Sequence, residues 1–474
     1  MTSWSDVQRN SAPHAPDVEL SLDPDGASWA DLLADVPVGD LAGSSLQQWR
    51  RRTRDELGLA VDRPLVATGH QTLLWHPGIL VKYLAVQSIA TGPTDIATAN
   101  LIVDQHTSAF GAFDVPVRRD DGALDVRTIS LTEAHDGVPM GWHSAFEPQQ
   151  PRDITAALPS VTSGLDRIVD RVRAHADEPN AALQMAAALG DLMSPWVSAW
   201  PAVCSSDLMN TSLAAAVLDA MASDPGGCAK AYNAAVAAVP DAGIGPLAVT
   251  AARVELPLWR RGADNRRVHA DDRDVARWLA GGTDRPVLLP RALLLTLLVR
   301  LGMCDLFVHG TGGARYDRAM EHWLEQWLGL RPAPIAVVTA SLRLPLGTDD
   351  AEPVTIEVAQ RAARRVWHDP ETTGSLPGPE KTALLAAIDA APRRSRERLD
   401  AFRRLHTRLE ELRGEQTQRV TDAREQVEIA HRQAREAPIA ARRDWAFSLY
   451  PTAMIDELAE SVGQAFRDSF PGRQ

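Results

Sequence analysis

Lysine is scarce in this chain. Of 474 residues, 49 are basic, yet only Lys82, Lys230 and Lys381 are lysines. Any chemistry that needs a compact ammonium or amine therefore has three candidates, and arginine, a rigid and permanently charged fork, does not readily replace them. Cysteine is equally sparse: Cys204, Cys228 and Cys304, odd in number and widely spaced, with no CxxC pair. That excludes a disulfide framework and a zinc ribbon. The longest apolar run, Val287 to Leu301, is broken by Pro290, Arg291 and Arg300, too short and too charged for a bilayer span. The first twenty residues lack a basic start followed by an apolar stretch, so no signal peptide is expected, and the cytoplasm is the default location. No repeat of 20–50 residues is found. The motifs GxSxG, GxxxxGK[ST] and GxGxxG with a following acid are all missing.

Charge narrows the partners. With 62 acidic residues the net charge is −13, which repels a phosphate backbone, so no nucleic-acid partner is expected. At this length one core is not enough, and a main domain with insertions is expected.

The pattern is α/β. Pro64–Thr68 reads as a strand, GHQTLLWHPG as a loop, and Ile79–Ala90 as a helix with Pro77 in its first turn. Ala99–Val103 is a second strand, ending in Asp104-Gln105-His106-Thr107. A hairpin is expected around Asp120-Asp121-Gly122. Asp305–His309 and Ile335–Thr339 are further strands, and Gly310–Gly313 is a loop leading to a helix over Ala314–Leu328. The expected organisation is a helical lead-in over 1–63, a Rossmann-like core over 64–149 and 236–345, and a helical insertion over 150–235. A linker and coiled-coil arm over 346–440 and a final helix over 441–474 complete it. In the arm, Phe402, Leu405, Leu409 and Leu412 follow one heptad, and Val420, Ala423, Val427, Ala430 and Ala434 another, displaced near Gln416. These heptads favour a homodimer and also fit a hairpin within one chain.

Three segments carry candidate chemistry. Gly69, His70, Gln71, His76, Gly78 and Lys82 sit where a first strand hands over to a helix, a place suited to anions. Asp104 and His106 at the second strand end suit a general base and its orienter; their spacing matches no specific metal motif, and no metal ligand set is assigned. His309, Gly312, Gly313, Arg315 and Tyr316 occupy a glycine-rich strand-to-helix turn that a ligand can approach closely. Glu255 and Arg260, interrupting an apolar strand, read more simply as ion-pair partners than as ligand contacts.

In their order these segments resemble the bacillithiol-synthase (cysteine-adding enzyme) family. VATGHQTLLWHPGILVKYLAV resembles its Thr-Gly-Gln-Gln strand–loop and Lys-bearing helix. VDQHT stands where it has an acidic strand end, VHGTGGARYDRAMEHWLE where it has a double-glycine turn, and WAFSLYPTAMIDELAE after a coiled coil where it has its ending. The resemblance implies a nucleotidyltransferase-like Rossmann core, a dimerising arm, and a ligase or transferase joining cysteine to an amino sugar conjugate. It implies a site lined by Gly69, His70, Gln71, Lys82, Asp104, His106, Gly312, Gly313 and Tyr316. The cofactor stays open, with ATP or ADP as candidates; a KMSKS-like lysine loop is absent. The rival expectations are a nucleotide-dependent transferase with another acceptor and a non-catalytic metabolite-binding scaffold.

Overall fold

The computed structural model describes residues 18–35, 37–92, 95–107, 110–133, 137–151, 158–347, 354–372 and 378–468. The first 17 residues, read above for a leader, and parts of the 346–380 linker lie outside them. The chain divides into two compact units: residues 1–115, 127–344 and 443–474 form one, and 116–126 with 345–442 the other.

The first unit is built on a six-stranded mixed sheet. Its strands are β1 (Glu19–Asp23), β2 (Leu65–His70), β3 (Ala97–Ile102), β4 (Ala202–Cys204), β5 (Leu306–His309) and β6 (Ile335–Ser341). They lie in the order β1-β6-β5-β2-β3-β4, parallel throughout except for β1, which runs antiparallel along β6. Buried apolar runs such as Leu65-Val66-Ala67 and Leu306-Phe307-Val308 suit a sheet covered on both faces. From β2 the chain moves outward through β3 and β4, then returns to the other side of β2 as β5 and β6. The strand order therefore reverses between β2 and β5, and ligands gather at the carboxyl ends of strands at such a point.

Two helices follow these strands: α1 (Pro77–Ala90) after β2 and α2 (Thr311–Leu328) after β5. A smaller three-stranded sheet, Arg267–Asp271, Glu255–Arg261 and Leu288–Pro290 in that order, belongs to the same unit.

Several expectations shift. The lead-in is not purely helical, since it supplies β1, a five-residue edge strand. The Ala-rich segment 150–235 contains helices, but its three-residue β4 completes the main sheet. The longest apolar run, Val287 to Leu301, reads as a buried helix but opens as the strand Leu288–Pro290, before a short helix Leu293–Leu298 and a π-turn Val299–Met303. The expected hairpin is present as Ala112–Arg118 with Leu124–Ser130.

In the second unit, helices Arg396–Glu415 and Thr417–Ala440 break at Gln416, where the two heptads fall out of phase. The 346–380 linker, expected to be loop-rich, includes the helix Ile356–His368, and a second helix, Pro379–Ala390, begins at its end. Ile388 and Leu384 of the latter cover Ala401, Leu405, Leu409 and Leu412. Within the described residues this seam is thus paired inside one chain.

Asp305, just before β5, ties the first unit together. Its carboxylate accepts from Arg50 at 2.7 Å, from Arg54 at 2.6 Å and from the Leu65 amide at 2.8 Å. Both guanidinium groups are buried. Removing the carboxylate leaves two buried cations without their partner, a defect of about 3–5 kcal/mol. Asp305→Ala is expected to lower stability by that amount in chemical denaturation; a loss under about 1 kcal/mol would contradict this role.

Candidate functional site

A cleft of about 740 Å³ opens at the carboxyl ends of β2, β3 and β5. Gly69, His70, Gln71, His76, Gly78 and Lys82 line it, as do Gln105, His106 and Thr107, and His309, Gly312, Gly313 and Tyr316. The three segments singled out in the sequence thus meet at one place. Arg315 does not join them: it is exposed on α2 and points away from the lining.

The first wall comes from β2 and α1. Thr68 donates its hydroxyl to the Val308 carbonyl at 2.8 Å, locking β2 to β5. A Cβ on Gly69 would lie 2.3 Å from the Leu101 carbonyl oxygen, so only glycine allows β3 to approach this closely. His76 caps α1, its Nδ1 accepting from the Gly78 amide at 3.1 Å. Part of its ring is therefore committed to structure. Lys82, buried one turn into the helix, reaches back and donates from Nζ to the Gly69 carbonyl at 2.8 Å.

The second wall corrects one expectation. The Asp104 carboxylate does not face the cleft or pair with His106. Its oxygens accept from the hydroxyls of Ser205 (2.6 Å) and Ser206 (2.5 Å) and from the Ser206 amide (3.1 Å). It anchors the turn after β4, a fully occupied structural carboxylate. His106 does line the cleft. Burial, reinforced by Arg267, pushes its pKa down to about 4. His70 is held lower still, at about 3, by burial and by Lys82. Both imidazoles are neutral near pH 7. Gln105 donates Nε2 to the Pro290 carbonyl at 2.5 Å, while its buried Oε1 has no partner.

The third wall holds an unforeseen dyad. His309, at the end of β5, contacts Asp317 through Nε2 at 3.0 Å. Asp317 is fully buried and also accepts from Arg300 at 2.9 Å. Despite its burial, these two neighbours hold its carboxyl below the ordinary value. The dyad thus uses Asp317, two turns into α2, where Asp104 was expected. The glycine turn also differs. Gly310 alone is the cap, with no side chain to offer, and Thr311-Gly312-Gly313 form the first helical turn. Their orphan N–H groups, with the positive end of an 18-residue helix, lie at the cleft wall. A Cβ on Gly313 would collide with His309 Nδ1 at 2.2 Å, so glycine is what lets the imidazole lie against this turn.

The small sheet supplies a fourth wall. Arg267 donates to the Gln105 carbonyl (2.8 Å) and the Thr107 hydroxyl (3.0 Å), and its guanidinium lies 4.7 Å from the Trp259 ring centroid. Burial and Arg291 lower its pKa to about 10. Arg291, 4.9 Å from the same ring, pairs with Glu255 at 2.5 Å. Glu255 is thus an ion-pair partner, though of Arg291, and its carboxylate also lies 3.0 Å from His269 Nδ1; Arg260 pairs with Asp274 instead. Ala292, next to Arg291, lines the cleft with a strained backbone at φ +30°.

The charge balance is one-sided. Lys82, Arg267 and Arg291 line the cleft with four histidines, and no Asp or Glu does so among the described residues. Such a wall complements an anion.

The depressed histidines also fix a pH dependence. The unfolded chain protonates His106 near 6.5, whereas the folded protein resists down to about 4. Between those values the unfolded state binds more protons, so stability falls as the pH drops from 6.5 towards 4. In urea titrations across that window, His106→Asn is expected to lose stability less steeply than the parent; equal slopes would contradict the assignment. No family model matches the chain, and no curated protein matches it.

Proposed function

We propose that this protein is a ligase or transferase, similar to the cysteine-adding enzymes of bacillithiol synthesis, that joins cysteine or another amino compound to a small polar acceptor such as an amino sugar conjugate. The observation that carries the reading is the cleft between β2 and β5. Its open helix turn, Lys82 and Arg267 face no carboxylate, and an imidazole oriented by a buried aspartate stands beside them. The parallel order of β6-β5-β2-β3-β4 with an αβ reversal at the site supports a Rossmann-like, nucleotidyltransferase-type core. The two-helix break at Gln416 supports the coiled-coil-like arm.

In this reading the anionic group of a substrate seats on the N–H groups of Thr311, Gly312 and Gly313 and is flanked by Arg267. Asp317 fixes the ring of His309 through Nε2, leaving Nδ1 as the acceptor for the proton of an attacking amine. His70 and His106, neutral at working pH, act as hydrogen-bonding groups. Gln105 Oε1 accepts from a hydroxyl or amine of the ligand. The first turn of α2 also fits a nucleotide phosphate, since the space around the Gly312 Cα is open. ATP, when bound there, would supply the carboxyl activation that amide formation needs.

The test is mass detection of conjugates formed from cysteine and candidate amino sugars, with and without ATP. With a productive pair in hand, His309→Asn and Asp317→Asn are expected to lower kcat by about 10²–10⁴-fold. Arg267→Gln is expected to raise KM for the anionic substrate with a smaller effect on kcat. Saturable binding without any conjugate, unaltered by His309→Asn, would replace the enzyme by a metabolite-binding scaffold.

A further inference from the structure

Among the described residues Lys82 is the single amine on the cleft wall, and its surroundings suit a nucleophile better than a counter-ion. Its side chain is 3% exposed. It leaves α1 and runs beneath the cap of α2, where a Cβ added to Gly310 would lie 3.9 Å from its Cδ. Nζ donates to one carbonyl, that of Gly69, at 2.8 Å. Among the described residues it makes no ion pair and no carboxylate lines the cleft. The Tyr83 ring centroid, 5.9 Å away, is at the limit of cation–π range and does not replace a counter-ion.

Burial alone lowers the amine to about 7. A large share of Lys82 is therefore neutral near physiological pH, with its bond to Gly69 using one N–H and leaving a lone pair. The other two lysines differ. Lys230 is exposed on a helix, and Lys381 donates to the His368 carbonyl at 2.8 Å and lies 3.8 Å from Asp369.

Two further features call for a polar ligand beside this amine. The first turn of α2 presents N–H groups that no side chain caps. Gln105, 5% exposed, holds an unpartnered acceptor oxygen in the same cleft.

We propose that Lys82 is a covalent site: its amine attacks the carbonyl carbon of a small anionic aldehyde or ketone whose acid group sits on the first turn of α2. The nitrogen bonds to the carbonyl carbon, and its two protons pass in turn to the carbonyl oxygen. That oxygen leaves as water, and a C=N bond remains. No oxidant or reductant is consumed. His309 lines the same cleft and serves as the proton carrier of this step. The inference uses the anion-binding cleft of the preceding section but not its ligase chemistry.

The test is to incubate the full chain with glyoxylate and cyanoborohydride near pH 7.5 and map the reduced adducts by peptide mass. Cyanoborohydride supplies the hydride that turns the imine into a stable carboxymethyl-lysine. With only three lysines, the map is complete. Lys82 is expected to be labelled on the order of a hundredfold faster than Lys230 or Lys381, as its neutral fraction is larger. Sulfate is expected to slow that labelling, whereas chloride of equal ionic strength is not. Adducts confined to Lys230, Lys381 or the amino terminus, or labelling of Lys82 that sulfate leaves unchanged, would overturn the proposal. Lys82→Met provides the blank; if it does not fold, the map of the parent protein still decides. Labelled Lys82 without conjugates in the cysteine screen would remove the ligase reading alone, and conjugates with an unlabelled Lys82 would remove this one alone.

Discussion

The parallel pairing of β2 with β5 is the constraint on which the site depends. The two strands are some 240 residues apart in the chain, yet Val66, Ala67 and Thr68 stand opposite Leu306, Phe307 and Val308. The Thr68 hydroxyl bonds across at one end, and Asp305 clamps the Leu65 amide and two arginines at the other. Because this pair fixes where both strands stop, it fixes where His70 and His309 emerge and how α1 and α2 present their first turns. A slip of one residue would turn every side chain of β5 over and separate His309 from the cleft.

The site follows from an uneven supply of charge. The protein as a whole is acidic, but the carboxylates of Asp104, Asp317 and Glu255, which do not line the cleft, are each committed. Asp104 holds a turn, Asp317 orients His309, and Glu255 pairs with Arg291. Each is used so that its charge is satisfied away from the cleft. Lys82 and Arg267 then face a space with no protein anion to neutralise them. Burial in such a setting lowers the pKa of His70, Lys82, His106 and Arg267. An anionic ligand would relieve that cost, so affinity and charge state are coupled.

Much of this was readable from local pattern. The strand–loop–helix from Pro64 to Ala90, the strand end at Asp104–Thr107 and the turn at His309–Gly313 all have strong apolar runs with polar stops. The rest depends on distant contacts. β1 and β4 are short edge or flanking strands, and ELSLD and AVC carry too few residues for a periodicity to register. Asp104 looked like the obvious partner of His106 because it is two residues away. In the fold the next strand, β4, brings Ser205 and Ser206 to it, and the histidine that does gain an aspartate is His309. The eight-residue spacing of His309 and Asp317 becomes meaningful only if the helix begins at Thr311, and two glycines argue locally for a loop. Arg267 and Trp259 gave no local signal, since their strand approaches the cleft from a separate sheet.

The central claim is that this cleft is an anion site made by the first turn of α2 and Arg267, with Lys82 beside it. Anomalous diffraction from crystals soaked in selenate tests it most directly. The account predicts a selenium peak within hydrogen-bonding distance of the Gly312 and Gly313 amides, weakened in Arg267→Gln. Peaks confined to surface arginines, with none in the cleft, would contradict it.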